Sequence, residues 1–117
     1  MDCQEAYLNV RHHIGNALAS LRALSRHGEI NQSDFEDNVN RVIGTLERFL
    51  GEEIEGFPDR QILDSHRATF RIGYERLQQA RYPDSVDEAI RLIQSLEIIV
   101  PIVRPPQNVE IWVLQKR

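Results

Sequence analysis

The sequence predicts a mainly α-helical fold: a four-helix bundle of antiparallel helical hairpins, followed by a short C-terminal β-hairpin. Two observations lead to this prediction. Up to Leu96, apolar residues recur every three or four positions, as the buried stripe of an amphipathic helix requires. Glycines and prolines divide this pattern into four segments, and β-branched residues dominate from Ile98 onward.

The composition is that of one globular domain spanning residues 1–117. With 41% apolar and 27% charged residues, the chain can form a single core and is not of the disordered class. The net charge of −4 and the dispersed arginines argue against a nucleic-acid partner. Because no apolar run approaches the roughly 18 residues that span a bilayer and no secretory leader is recognisable, we expect a cytoplasmic protein with no membrane partner.

The first helix is predicted over about residues 2–27, with Gly28 as its stop. Its apolar stripe consists of Tyr7, Val10, Ile14, Leu18, Leu21 and Leu24. His12 and Asn16 fall about 160° from the centre of this stripe and one turn apart, so we expect both to be exposed. Gly15 leaves two alternatives: its small size gives a partner room to approach His12, or it accommodates a neighbouring helix.

Three further helices are predicted over about residues 33–52, 59–81 and 85–97. Ser33 and Ser85 each begin a capping box, with a glutamate three residues later. The short polar link between the first two helices predicts an antiparallel hairpin. On the third helix, we expect His66 to be hydrogen-bonded at the edge of the core. The predicted core consists of Val10, Ile14, Leu18, Leu21, Val42, Leu46, Phe49, Phe70, Leu77, Ile93 and Leu96.

The C-terminal residues leave two alternatives, an extension of the fourth helix or a β-hairpin. Pro101 would break a helix but is tolerated on an edge strand, and β-branched residues favour strands. We therefore expect a β-hairpin within residues 98–114, in which Ile98–Val103 pairs with Val109–Leu114. An isolated hairpin is marginally stable in water, so this one should pack on the helices or pair across a dimer.

The first helix also carries a recognisable motif. It reads His12-x-Ile14-x-Asn16-x-Leu18-x-x-Leu21 and, over residues 10–21, resembles the phosphoacceptor box of two-component sensor histidine kinases. It is also similar to the helical hairpin of sporulation-type phosphotransferases. In that family the histidine accepts a phosphoryl group on a ring nitrogen and passes it to an aspartate of a response regulator. An imidazole suits this reaction because it is nucleophilic and largely neutral near pH 7.

The resemblance implies roles for three residues and a partner. His12 would carry the phosphoryl group, and Asn16 would orient it or the incoming aspartate of a response regulator. His13 stands where the family has an acidic residue and would be a modified assisting base, because an imidazole can accept a proton but supplies no fixed negative charge. A homodimer is also implied, since in the family two hairpins form the four-helix core.

The sequence contains no motif for nucleotide binding or metal binding and cannot form an internal disulfide. Neither G-x-x-x-x-G-K-[ST] nor G-x-G-x-x-G occurs, and the glycine-bearing motifs of the kinase ATP domain are missing, so the chain is not a complete histidine kinase. We expect no cofactor and no metal site. The single Cys3 cannot form an internal disulfide, and the four histidines do not have metal-ligand spacing.

Two functions of different classes therefore stay open. The first is a histidine phosphotransfer and dimerisation module without an ATP-binding domain, passing phosphate between His12 and a response-regulator aspartate. The second is a non-enzymatic helical adaptor or regulatory interaction protein, dimeric, in which His12 is chemically idle. Phosphotransfer requires an exposed His12 with an open surface around Gly15 and Asn16, and a His12 covered by another element would count against it.

Overall fold

Four helices make up the fold in the computed structural model, which describes residues 2–56 and 59–99. They are α1 (Cys3–Arg26), α2 (Gln32–Gly51), α3 (Arg60–Gln78) and α4 (Val86–Ile99). Helix α1 packs against α2 and α4, and α3 packs against the same two helices, so the four surround one core. The mainly helical class is confirmed for these residues, among which the β-pairing is limited to one isolated bridge between Asp2 and Glu55.

The core is the one that the helical periodicity predicts. All eleven residues predicted for it are at most 2% exposed. Tyr7, Phe49 and Phe70 add aromatic contacts at its centre. The Tyr7 and Phe49 rings meet edge to face with centroids 5.1 Å apart, and the Phe49 and Phe70 rings do so at 5.0 Å. The apolar stripe of each helix therefore faces the interior of the bundle.

The first two helices form the predicted antiparallel hairpin. The start of α1 meets the chain just after α2, where the backbone N–H of Cys3 donates to the carbonyl of Glu55 at 2.8 Å. Helices α3 and α4 cover the apolar face of this hairpin within the same chain. The second hairpin that a homodimer would contribute to a four-helix core is thus supplied here by α3 and α4.

The start of α2 differs from the prediction. Asn31, and not Ser33, is the N-cap, because its side-chain oxygen accepts the backbone N–H of Asp34 at 2.8 Å. Asparagine and serine are comparable N-cap residues, and the hydrogen bond from Asn31 begins the helix one residue earlier, at Gln32. The predicted capping box at Ser33 is therefore wrong.

The end of α4 also differs from the prediction. The helix continues through Ile99, so Ile98 and Ile99 are helical and are not the first residues of the strand predicted at Ile98–Val103. Burial of Ile93 and Leu96 against the other helices outweighs the weak strand preference of the β-branched residues that follow. The remainder of the predicted β-hairpin lies outside the described residues.

His66 is hydrogen-bonded at the edge of the core, as predicted. Its Nδ1 lies 2.7 Å from the hydroxyl oxygen of Tyr7, and the two rings meet edge to face. Burial lowers the pKa of His66 and raises the pKa of Tyr7 to about 12. Both groups are therefore neutral near pH 7. This contact joins α1 to α3 across the bundle.

Candidate functional site

His12 lies on the exposed side of α1, opposite the buried Ile14, as the helical spacing predicts. Asn16 is also exposed, and its Nδ2 lies 3.2 Å from His12 Nε2. When the amide of Asn16 donates this hydrogen bond, Nε2 is the acceptor and Nδ1 carries the ring proton of the neutral imidazole. Asn16 therefore favours the tautomer with the proton on Nδ1, and its amide must release the Nε2 lone pair before Nε2 can attack a phosphoryl group.

A shallow surface depression lies beside His12. It is lined by Asp2, Gln4, Glu5, Leu8, Asn9, His12 and Arg48. Arg48 comes from α2 and pairs with Glu52, its Nε lying 2.7 Å from the carboxylate oxygen. Leu8 is 45% exposed one turn from His12. This surface can be reached by another protein, and it offers an apolar side chain together with charges of both signs.

Gly15 lies against another helix. It is half-buried, and a Cβ placed on it would lie 3.7 Å from a carboxylate oxygen of Glu97 in α4. Because 3.7 Å is an ordinary van der Waals distance, an alanine would also fit against α4, and neither of the two alternatives that the sequence left open requires this glycine. The open surface that phosphotransfer requires is present at His12 and Asn16 but not at Gly15.

His13 lies in a different place from His12. It lines a cleft between α1 and α2 together with Asn9, Asn40, Arg41, Gly44, Thr45 and Arg48. Burial lowers the pKa of His13, and the neighbouring His12 and the positive charges of Arg41 and Arg48 act in the same direction. The imidazole is therefore neutral near pH 7. Its Nδ1 is buried without a hydrogen-bond partner.

The structure thus brings two of the three predicted site residues into direct contact. His12 and Asn16 share a hydrogen bond, whereas His12 and His13 meet only ring edge to ring face, with centroids 5.3 Å apart. This ring contact gives proximity but no route for a proton between the two imidazoles. The assisting role that the resemblance implies for His13 stays a prediction.

Sequence reasoning missed the α2 side of the cleft. Arg41, Thr45 and Arg48 follow one another at helical spacing and face His13. A signal was available in Thr45, which is a polar residue on the apolar stripe that includes Val42 and Leu46. That Thr45 lines the same cleft as His13 could not be predicted, because the register of α1 against α2 is set by packing and not by local periodicity.

Among residues 2–56 and 59–99, no group of three or more histidine, cysteine, aspartate or glutamate side chains is placed to hold a metal ion. Within the same ranges, no helix combines the length and the apolar character needed to cross a membrane.

Comparison with known proteins gives no match, either to a family model, to a curated protein or to a solved structure. A helical bundle alone does not indicate a function, because the same architecture serves many. The function has to be argued from the residues around His12 and His13.

Proposed function

We propose that this protein is a histidine phosphotransfer module, in which His12 receives a phosphoryl group from an aspartate of a response regulator and can return it. The observation that carries this proposal is the exposed imidazole of His12 with its Nε2 hydrogen-bonded by Asn16 at 3.2 Å. A nucleophilic nitrogen is thereby presented at the surface, on a helix whose opposite face is locked in the core.

The proposed reaction is a displacement at phosphorus. The lone pair of His12 Nε2 forms the nitrogen–phosphorus bond, while the bond from phosphorus to the aspartate oxygen breaks and the carboxylate leaves with the electron pair. The proton on Nδ1 stays in place, so the reverse reaction needs no proton donor. Once Nε2 is bonded to phosphorus, the amide of Asn16 can donate to a phosphoryl oxygen instead.

The proposed partner is the receiver domain of a response regulator, which would cover the depression beside His12. Leu8 would provide an apolar contact, and Arg48, which lines the same depression, would have to exchange its pairing with Glu52 for a contact with the phosphoryl group. A homodimer through the α1–α2 hairpin is not needed to complete the core, because α3 and α4 cover that face. A dimer would use another surface.

A non-enzymatic adaptor is the second candidate. The observation that favours it is the surface beside His12, where Leu8 is exposed among acidic residues at the start of α1. Such a surface can bind a partner without any reaction, and His12 would then contribute only to the contact. A test must therefore detect the covalent phosphohistidine and not merely binding.

The test is transfer of labelled phosphate from phosphorylated receiver domains. We expect the wild-type chain to acquire acid-labile, base-stable label and the His12→Gln variant to acquire none. The matched control is His27→Gln, which removes another exposed histidine of the same first helical hairpin and should leave labelling unchanged. His12→Gln should alter the free energy of unfolding by no more than about 0.5 kcal/mol, because an exposed side chain contributes little to packing.

Three outcomes of this labelling experiment distinguish phosphotransfer from the adaptor function. Label on the wild type that is lost only in His12→Gln supports phosphotransfer. Equal label in wild type and His12→Gln would place the reaction on another residue and contradict the assignment of His12. No label on the wild type from any receiver domain of a broad panel would rule out phosphotransfer and leave the adaptor.

A further inference from the structure

Thr45 of α2 has a buried hydroxyl group that forms no hydrogen bond within the fold. It is 5% exposed, and it is the one buried polar residue within the part of the chain that the structure describes. In helices, such a hydroxyl often donates to the carbonyl one turn earlier, yet Thr45 Oγ1 has no hydrogen-bond partner. Because a buried polar group without a partner is unfavourable compared with an apolar group of the same shape, folding alone does not explain this threonine.

The residues around Thr45 indicate which kind of ligand the cleft can bind. Across the cleft, His13 Nδ1 of α1 is likewise buried and unpartnered. Arg41 and Arg48 lie on the same side of α2, one turn before and one turn after Thr45. Two residues with a buried, unpartnered polar atom therefore line the same cleft of about 280 Å³ as two arginines.

The chemistry of the lining selects an anion. Hydroxyl, imidazole, amide and guanidinium groups all donate hydrogen bonds, and no carboxylate lines the cleft itself, although that of Glu52 pairs with Arg48 beside it. A cation would be repelled by Arg41 and Arg48, and an apolar ligand would leave Thr45 Oγ1 and His13 Nδ1 unpaired. The cleft is also open at Gly44, where an added Cβ would meet no heavy atom within 4 Å.

We propose that the cleft between α1 and α2 binds a phosphate-type oxyanion, either inorganic phosphate or the phosphate group of a small monoester. On binding, rotation of the Thr45 and His13 side chains brings the hydroxyl and the Nδ1–H to the anion oxygens. Arg41 balances the charge of the anion, together with Arg48, whose guanidinium also pairs with Glu52. Arg48 also lines the depression beside His12, so the two sites are neighbours. The proposal does not rest on phosphorylation of His12, since none of these donors requires it.

The test is a titration of the isotopically labelled full chain, followed by backbone amide chemical shifts, with inorganic phosphate at constant ionic strength. We expect saturable shifts at Gly44, Thr45 and His13. A parallel titration with glycerol phosphate distinguishes the two sources of the same chemistry. Saturation by phosphate alone indicates a site for the free ion, whereas saturation by both indicates that the cleft also admits a monoester.

Two variants with matched controls test whether Thr45 and Arg41 belong to the phosphate site. Thr45→Val should weaken phosphate binding by about tenfold or more, because a hydrogen bond to a charged group is lost. Thr69→Val is its control, since Thr69 is exposed on α3 and its hydroxyl already bonds to the carbonyl of Ser65. Arg41→Gln should also weaken binding, whereas Arg91→Gln, the same charge change at an exposed position of α4, should not.

The outcomes separate this proposal from phosphotransfer. Phosphate binding in the cleft is measured without any receiver domain and without phosphoryl transfer, so a failure of phosphotransfer would leave this result intact. Thermal unfolding establishes that Thr45→Val is folded, and Arg41→Gln alters an exposed residue and provides a second test. The absence of saturable shifts in the wild type, or wild-type affinity in both Thr45→Val and Arg41→Gln, would overturn the proposal.

Discussion

Two glycines inside helices, Gly73 in α3 and Gly44 in α2, provide a paired test of how α3 packs on α4. In a helix interior, replacing glycine by alanine removes a propensity penalty of about 1 kcal/mol. At Gly44, an added Cβ meets nothing within 4 Å. At Gly73, which is buried, it would lie 2.8 Å from Leu96 Cδ1 and 2.9 Å from Leu96 Cδ2. The same substitution should therefore have opposite effects at the two positions.

The expected change in the stability of Gly73→Ala follows from the space around the Leu96 side chain. Non-bonded carbon atoms pack at about 3.5–4.0 Å, so both methyl groups of Leu96 would have to retreat by roughly 0.6 Å or more. Leu96 is 2% exposed, and its displacement disturbs the core. Such overpacking costs about 1–3 kcal/mol, which the propensity gain reduces to a net loss of up to about 2 kcal/mol for Gly73→Ala. Gly44→Ala should gain about 1 kcal/mol, so the two variants should differ by about 1–3 kcal/mol.

Urea unfolding followed by circular dichroism measures this difference, provided that the dependence on denaturant is the same in both variants. A double-mutant cycle with Leu96→Ala tests whether the Leu96 side chain causes this difference in stability. Removing the Leu96 side chain should make Gly73→Ala favourable, because the added methyl group then enters vacated space. Equal stabilisation by Gly73→Ala and Gly44→Ala would show that α4 does not press on α3 at Leu96, and the packing described above would be incorrect.

Two further predictions concern the core and its pH dependence. Leu46→Ala should lower the free energy of unfolding by about 2–5 kcal/mol, because it leaves a cavity at a fully buried position, whereas Ile72→Ala, at a side chain 54% exposed, should change it little. A loss below about 0.5 kcal/mol at Leu46 would contradict the burial of the α2 stripe. Because burial lowers the pKa of His66, the unfolded chain binds more protons there than the folded chain, so stability should fall as the pH drops from about 6.5 through the folded pKa. Urea midpoints at pH 8 and pH 5 measure this loss of stability. The loss should be smaller in His66→Gln than in the wild type. An equal loss in that variant would show that His66 does not contribute to the pH dependence of stability.

The sequence by itself determined the number of helices, the face that each one buries and the exposure of His12. These properties depend on residues three or four positions apart, such as Ile14 and Leu18 on one side of α1 and His12 and Asn16 on the other. The helix ends were less determined. Asn31 competes with Ser33 for the N-cap of α2, and propensity alone does not rank two good capping residues.

Only the tertiary structure decided what each side chain meets across the bundle. The hydrogen bond between Tyr7 and His66 joins residues 59 positions apart, and the contact of Gly15 with Glu97 depends on how α4 lies on α1. The cleft that brings His13 to Thr45 likewise depends on the register of α1 against α2. Such registers are set by the shapes of side chains packed between helices, and a local period carries no information about them.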